Sequence, residues 1–141
     1  MFNKPFYDRV RDWRSLRQEV ETSNDPFELV LAFWKTAPIS ARYADPYNSE
    51  SWPDPWELLH DNIYCEFLQL LAVCYTLQLT ERFSSSNFEI HITLDKKHDT
   101  MVYLLFVDNH AIGYYNNERI DANNIQHLVC QMHHVINLCH N

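Results

Sequence analysis

Phe88-Glu89-Ile90-His91-Ile92-Thr93-Leu94-Asp95 alternates apolar and polar residues without a break. A period of two over eight residues reads as a half-buried strand, here at the edge of a sheet. Asp95 to Asp99 is a polar turn. Met101 to Val107 is apolar on both faces, as a central strand is. Asp108-Asn109-His110 turns again, and Ala111 to Tyr115 makes a third strand containing Gly113. These residues predict a three-stranded antiparallel meander.

Upstream the period changes. Tyr64 to Phe83 is apolar nearly all round (Phe67, Leu68, Leu70, Leu71, Leu77), which predicts a long buried central helix. Two helices precede a long connection. Phe6, Val10, Trp13, Leu16 and Val20 form one stripe over Tyr7 to Glu21. Asp25-Pro26-Phe27-Glu28 starts the next helix with an N-cap, a proline at the first position and a capping-box glutamate. Asp54-Pro55-Trp56-Glu57 repeats that signature with different flanks, so it is the same local solution and not a duplication. Residues 36–53 between them hold Pro38, Tyr43, Pro46, Tyr47, Trp52 and Pro53, an aromatic, proline-rich connection of unusual length that packs on the surface or binds. Downstream, Ile125, Leu128, Val129, Met132, Val135, Ile136 and Cys139 predict a C-terminal helix over about Ala122 to Cys139. The expected fold is α+β, a single domain over residues 1–141, with residues 1–22 as an N-terminal docking helix.

Net charge is −8. Residues 1–35 balance six basic against six acidic side chains, so the acidic excess lies in 36–141. An acidic body speaks against nucleic acid as a partner. Arg9, Arg11, Arg14 and Arg17 face only Asp8 and Asp12 nearby; they form a solvated helix face or a docking arm for an acidic protein. With Tyr43, Tyr47 and Trp52 they are the expected interface. No apolar leader follows Met1, and Phe67 to Leu79 is too short and too polar to span a bilayer, so a cytoplasmic chain with reduced cysteines is expected.

Glycine occurs once, which excludes a phosphate-binding loop, a dinucleotide-binding turn and a G-x-S-x-G elbow. Cys65, Cys74, Cys130 and Cys139 form no C-x-x-C pair, so a zinc ribbon is excluded. His127, Cys130 and His134 fall within about 60° on the expected last helix. A third ligand from one helix rarely reaches a shared zinc, so a polar helix face is preferred over a metal site. His91-Ile92-Thr93 resembles one half of a paired phosphoesterase motif, and an exposed strand residue is the preferred reading of His91. No cofactor is expected.

Cys65 opens the central helix, where free N–H groups and the helix dipole activate a thiol. Tyr64-Cys65-Glu66, followed by Val102-Tyr103-Leu104-Leu105-Phe106 and Gly113-Tyr114-Tyr115-Asn116, resembles the core of transglutaminase-like (papain-like) cysteine enzymes over roughly residues 54–118. The resemblance implies Cys65 as nucleophile, with His98 and Asn116 as partners. Met101 stands where the family's histidine begins its strand, and no glycine precedes Cys65. A nucleophile without a base in reach is inactive, so the resemblance points to a degenerate, non-catalytic copy, with the cysteine enzyme as the alternative. Trp52-Pro53-Asp54-Pro55-Trp56-Glu57-Leu58 looks like small proteins of tailed bacteriophages, which implies a virion component of the neck, tail or baseplate, in host cytoplasm or virion. The expected function is a non-catalytic structural or interaction protein that docks on other subunits, itself an oligomer. A third reading is an acidic inhibitor of a basic host protein.

Overall fold

The computed structural model describes residues 1–40, 44–115, 118–121 and 125–137. The chain divides into two compact units, Met1–Ser85 and Ser86–Asn141. The first is helical: α1 (Phe6–Thr22), α2 (Pro26–Lys35), a 3₁₀ turn (Ser49–Ser51), α3 (Pro55–Asp61) and α4 (Glu66–Gln78). The second holds β1 (Phe88–Asp95), β2 (Thr100–Val107), β3 (His110–Ile112), β4 (Tyr114–Tyr115), β5 (Glu118–Arg119) and β6 (Leu128–Val135). The α+β class is as expected.

Local chemistry sets the helix starts. Asp25 accepts the Glu28 N–H at α2. At α3 the exchange is reciprocal: Asp54 accepts from Glu57 N–H, and Glu57 accepts from Asp54 N–H. Asn62 ends α3 in the left-handed conformation, which asparagine tolerates. Trp13, Leu16, Val20, Val30 and Trp34 are buried with most of α4. The connection after α2 is tied down: Ser40 N–H donates to Tyr64 O, Tyr75 Oη–H to Pro53 O, and Trp52 Nε1–H to Asp45 O.

α4 is shorter than the expected Tyr64–Phe83. Cys65 is its N-cap, and the helix stops at Gln78. The backbone beyond finds other partners. The Glu21 carboxylate accepts the N–H groups of Glu81 and Arg82, and Thr80 Oγ1 donates to Leu77 O. With those groups satisfied, nothing favours another helical turn.

The four-stranded antiparallel sheet runs β3-β2-β1-β6, and β4 pairs with β5 in a separate hairpin. Asp108 and Asn109 both take positive φ, 51° and 81°, in the two-residue turn joining β2 to β3. Such turns usually use glycine; Asp and Asn are the tolerated substitutes. Gly113 ends β3 at φ 135°, where a Cβ would meet Ile120 Cδ1 at 3.1 Å. The expected third strand Ala111–Tyr115 is therefore broken at its glycine.

Two further expectations are corrected. β1 is an interior strand, not an edge, because β6 covers its free side from Asp95↔Leu128 to Glu89↔Val135. Its polar residues survive there because they are paired: Thr93 Oγ1 donates to Val102 O, and turn N–H groups reach Asp95. The C-terminal helix is also overturned, and with it the three-stranded sheet. Leu128–Val135 is extended. Seven paired residues on β1 outweigh a helix propensity of tenths of a kcal/mol per residue.

Candidate functional site

β6 is the outer strand of its sheet, and among the described residues no strand pairs with its far side. Its side chains are mostly exposed, including Val129 (39%), Met132 (37%) and Val135 (63%). Gln131 is an extra residue between the pairs Thr93↔Cys130 and Ile92↔Met132, a β-bulge. The opposite edge, β3, has only three residues.

Beside β6, the His91 ring stacks on Phe106 with centroids 4.2 Å apart and lies 5.4 Å from the His133 ring. His91 Nε2 is 3.3 Å from Glu89 Oε1. Asn87, Glu89, Phe106, Asp108, Asn109 and Val135 line an open hollow of about 230 Å³. Asp108 is held below the usual carboxylate range, first by the Asn87 N–H and then by the Ser86 hydroxyl.

At the other end of β1, the Asp95 carboxylate is fully buried. Oδ2 lies 2.7 Å from His98 Nδ1, Oδ1 accepts the Lys97 and His98 N–H groups, and His127 Nε2 is 3.6 Å from Oδ1. Burial pushes this carboxyl up, and the His98 ring and turn N–H groups more than offset it, so it stays below the usual range. Sequence reasoning missed Asp95 because it read as one end of a polar turn.

The weak metal candidates His127, Cys130 and His134 are dispersed. Cys130 faces Thr93 and His134 faces Ile90, positions three apart on a regular strand and so on opposite faces of the sheet. His127 is beside Asp95. Among the described residues, no group of three or more His, Cys, Asp or Glu is placed to hold a metal ion.

The four arginines of α1 do different work. Arg9 is buried, and its guanidinium donates to the carbonyls of Leu59, His60 and Lys4. Arg17 lies over Trp13 at 4.6 Å, and burial lowers its pKa, aided by Arg14. Arg11 pairs with Asp8 on the surface, and Arg14 is exposed. Tyr47 is exposed, whereas Trp52 packs on Phe67 at 5.0 Å. Tyr43 and Asn116 lie outside the described residues. Cys65 belongs to the helical unit and His98 to the sheet unit.

No family model, curated protein or solved structure matches this chain. No described helix is long and apolar enough to cross a membrane.

Proposed function

We propose that this chain is a small, non-catalytic interaction protein that docks on other protein subunits through the β6 edge. The observation that carries the reading is an eight-residue outer strand with Val129, Met132 and Val135 exposed. An edge with no partner strand among the described residues is a template for another strand; natural edges are blunted with charge, proline or bulges, and β6 has the Gln131 bulge but no charged side chain. A place in a tailed-bacteriophage particle is supported by the Trp52–Leu58 resemblance alone.

The test compares wild type with Met132→Lys/Val135→Lys in pull-downs from the native source. Both sites are exposed, so the variant keeps the wild-type melting temperature. Partners recovered by wild type and lost by the variant support the reading. Equal recovery by both sinks it.

A thiol enzyme is the second reading, favoured by Cys65 at the N-cap of α4, where its side chain makes no capping hydrogen bond. Rapid iodoacetamide labelling of Cys65 near neutral pH supports that alternative. Slow labelling removes it.

A further inference from the structure

We propose that two copies of this chain pair through β6, antiparallel and across a twofold axis, to make one continuous eight-stranded sheet. The proposal rests on the interaction reading above and names the occupant of that same edge.

The two edges of the sheet are unequal. β3 is three residues long, and short edge strands are a recognised protection against unwanted pairing. β6 offers eight residues, enough for up to about eight backbone hydrogen bonds in an antiparallel pair.

Charge selects the occupant. Residues 122–141 contain no Asp, Glu, Lys or Arg, in a chain that has 30 of them elsewhere and a net charge of −8. A basic partner recognised by charge would be met by carboxylates, and β6 supplies none. A second copy brings its own −8, but none of that charge stands on the strand. Like charges directly opposed across a pair are destabilising, and this seam has none from acidic or basic side chains.

Symmetry completes the case. An isologous pair uses the same strand on both sides and closes at two copies, so the long edge is consumed and open-ended growth stops. Val129 and Met132 on one face of the sheet, and Val135 on the other, then flank the same strand of the other copy. The Gln131 bulge leaves two straight pieces, and Met132–Val135 carries the most exposed side chain, Val135.

The experiment is light scattering after size exclusion on the full chain, with reductant, over a wide concentration range. The expected result is a concentration-dependent species of twice the 16.9 kDa chain mass. Val129→Lys/Val135→Lys places like charges along the seam, one on each face of the sheet, and raises the dimer dissociation constant at least about tenfold. Glu19→Lys, on an exposed position of α1, leaves it unchanged. Amide exchange gives a second readout: β6 amides exchange more slowly at high concentration in wild type. A wild-type monomer at every concentration overturns the proposal. So does a dimer indifferent to the lysines, β6 exchange independent of concentration, or a dimer seen only without reductant, which is an intermolecular disulfide. A monomer that still loses a pulled-down partner with the Met132→Lys/Val135→Lys variant ends this proposal and leaves the interaction reading standing.

Discussion

Asp95 Oδ2 and His98 Nδ1 are 2.7 Å apart, and the carboxylate is fully buried at the end of β1. A carboxyl whose folded pKa lies below its unfolded value adds stability that is full above the unfolded pKa. That stability is lost as pH falls through the folded one. Asp95 follows this pattern, with an ordinary value of 3.8. Asp95→Asn lowers the melting temperature at neutral pH. The gap from wild type narrows as pH falls below about 4. Thermal melts from neutral pH down to pH 3 check this; a gap that stays constant or widens in acid contradicts it.

Tyr64 is the reverse case. Its ring is buried, its hydroxyl has no partner among the described residues, and burial pushes its pKa to about 12. Stability from a raised pKa is full below the ordinary value of 10.0 and is lost as pH rises through about 12. Removing an unpartnered hydroxyl costs little. Tyr64→Phe therefore changes stability at neutral pH by less than about 1 kcal/mol. It also weakens the alkaline loss between pH 10 and about 12. Denaturation across that range reads both effects.

Thr76 sits under two tryptophans. The Nε1–H groups of Trp13 and Trp34 donate to its Oγ1 at 2.8 and 2.9 Å, and its own O–H donates to Ala72 O. One hydroxyl thus uses its full hydrogen-bonding capacity to join α1, α2 and α4. Thr76→Val keeps the shape and strands two buried donors, at a cost of roughly 2 to 4 kcal/mol. Urea unfolding measures it, and Thr76→Ser recovers most of the loss. A Val variant as stable as wild type would show that these bonds contribute nothing.

Arg9 and Arg14 separate structure from surface on one helix. Arg9→Ala removes bonds to three carbonyls and costs roughly 2 to 4 kcal/mol. Arg14→Ala stays within about 0.5 kcal/mol of wild type. Of the four arginines of the expected docking arm, Arg11 and Arg14 are the exposed ones. Equal melting temperatures for the Arg9 and Arg14 variants contradict this division.

Cysteine reactivity follows burial. Cys74 is fully buried, and desolvation raises its thiol well above the ordinary value. Cys130 is exposed. Cys130 alkylates in the native protein, whereas Cys74 reacts only on unfolding. Mass spectrometry of labelled peptides distinguishes them, and labelling of both at one rate contradicts the assignment.

The helix starts at Asp25 and Asp54 and the hairpin from Phe88 to Val107 were legible because their signals lie within a few residues of where they act. A cap needs only a carboxylate and the N–H three residues on. The last element was not legible. Its apolar residues fit a helical stripe, and its partner, Phe88–Asp95, lies about forty residues away. One signal was available: a solvent-facing helix normally carries charge, and residues 122–141 carry none. Asp95 was hidden for a related reason, since only the fold brings His127 to it.

Residues read alone sufficed for the α+β class, for the start of each of α2 and α3, and for the exclusion of phosphate-loop chemistry by a single glycine. Only the fold placed β1 inside the sheet, made β6 an exposed edge and took Arg9 out of the surface arm. Capping and alternation are local energies carried by neighbouring residues. Strand order and burial depend on which distant segment supplies the other half of each hydrogen bond, and composition does not encode that choice locally.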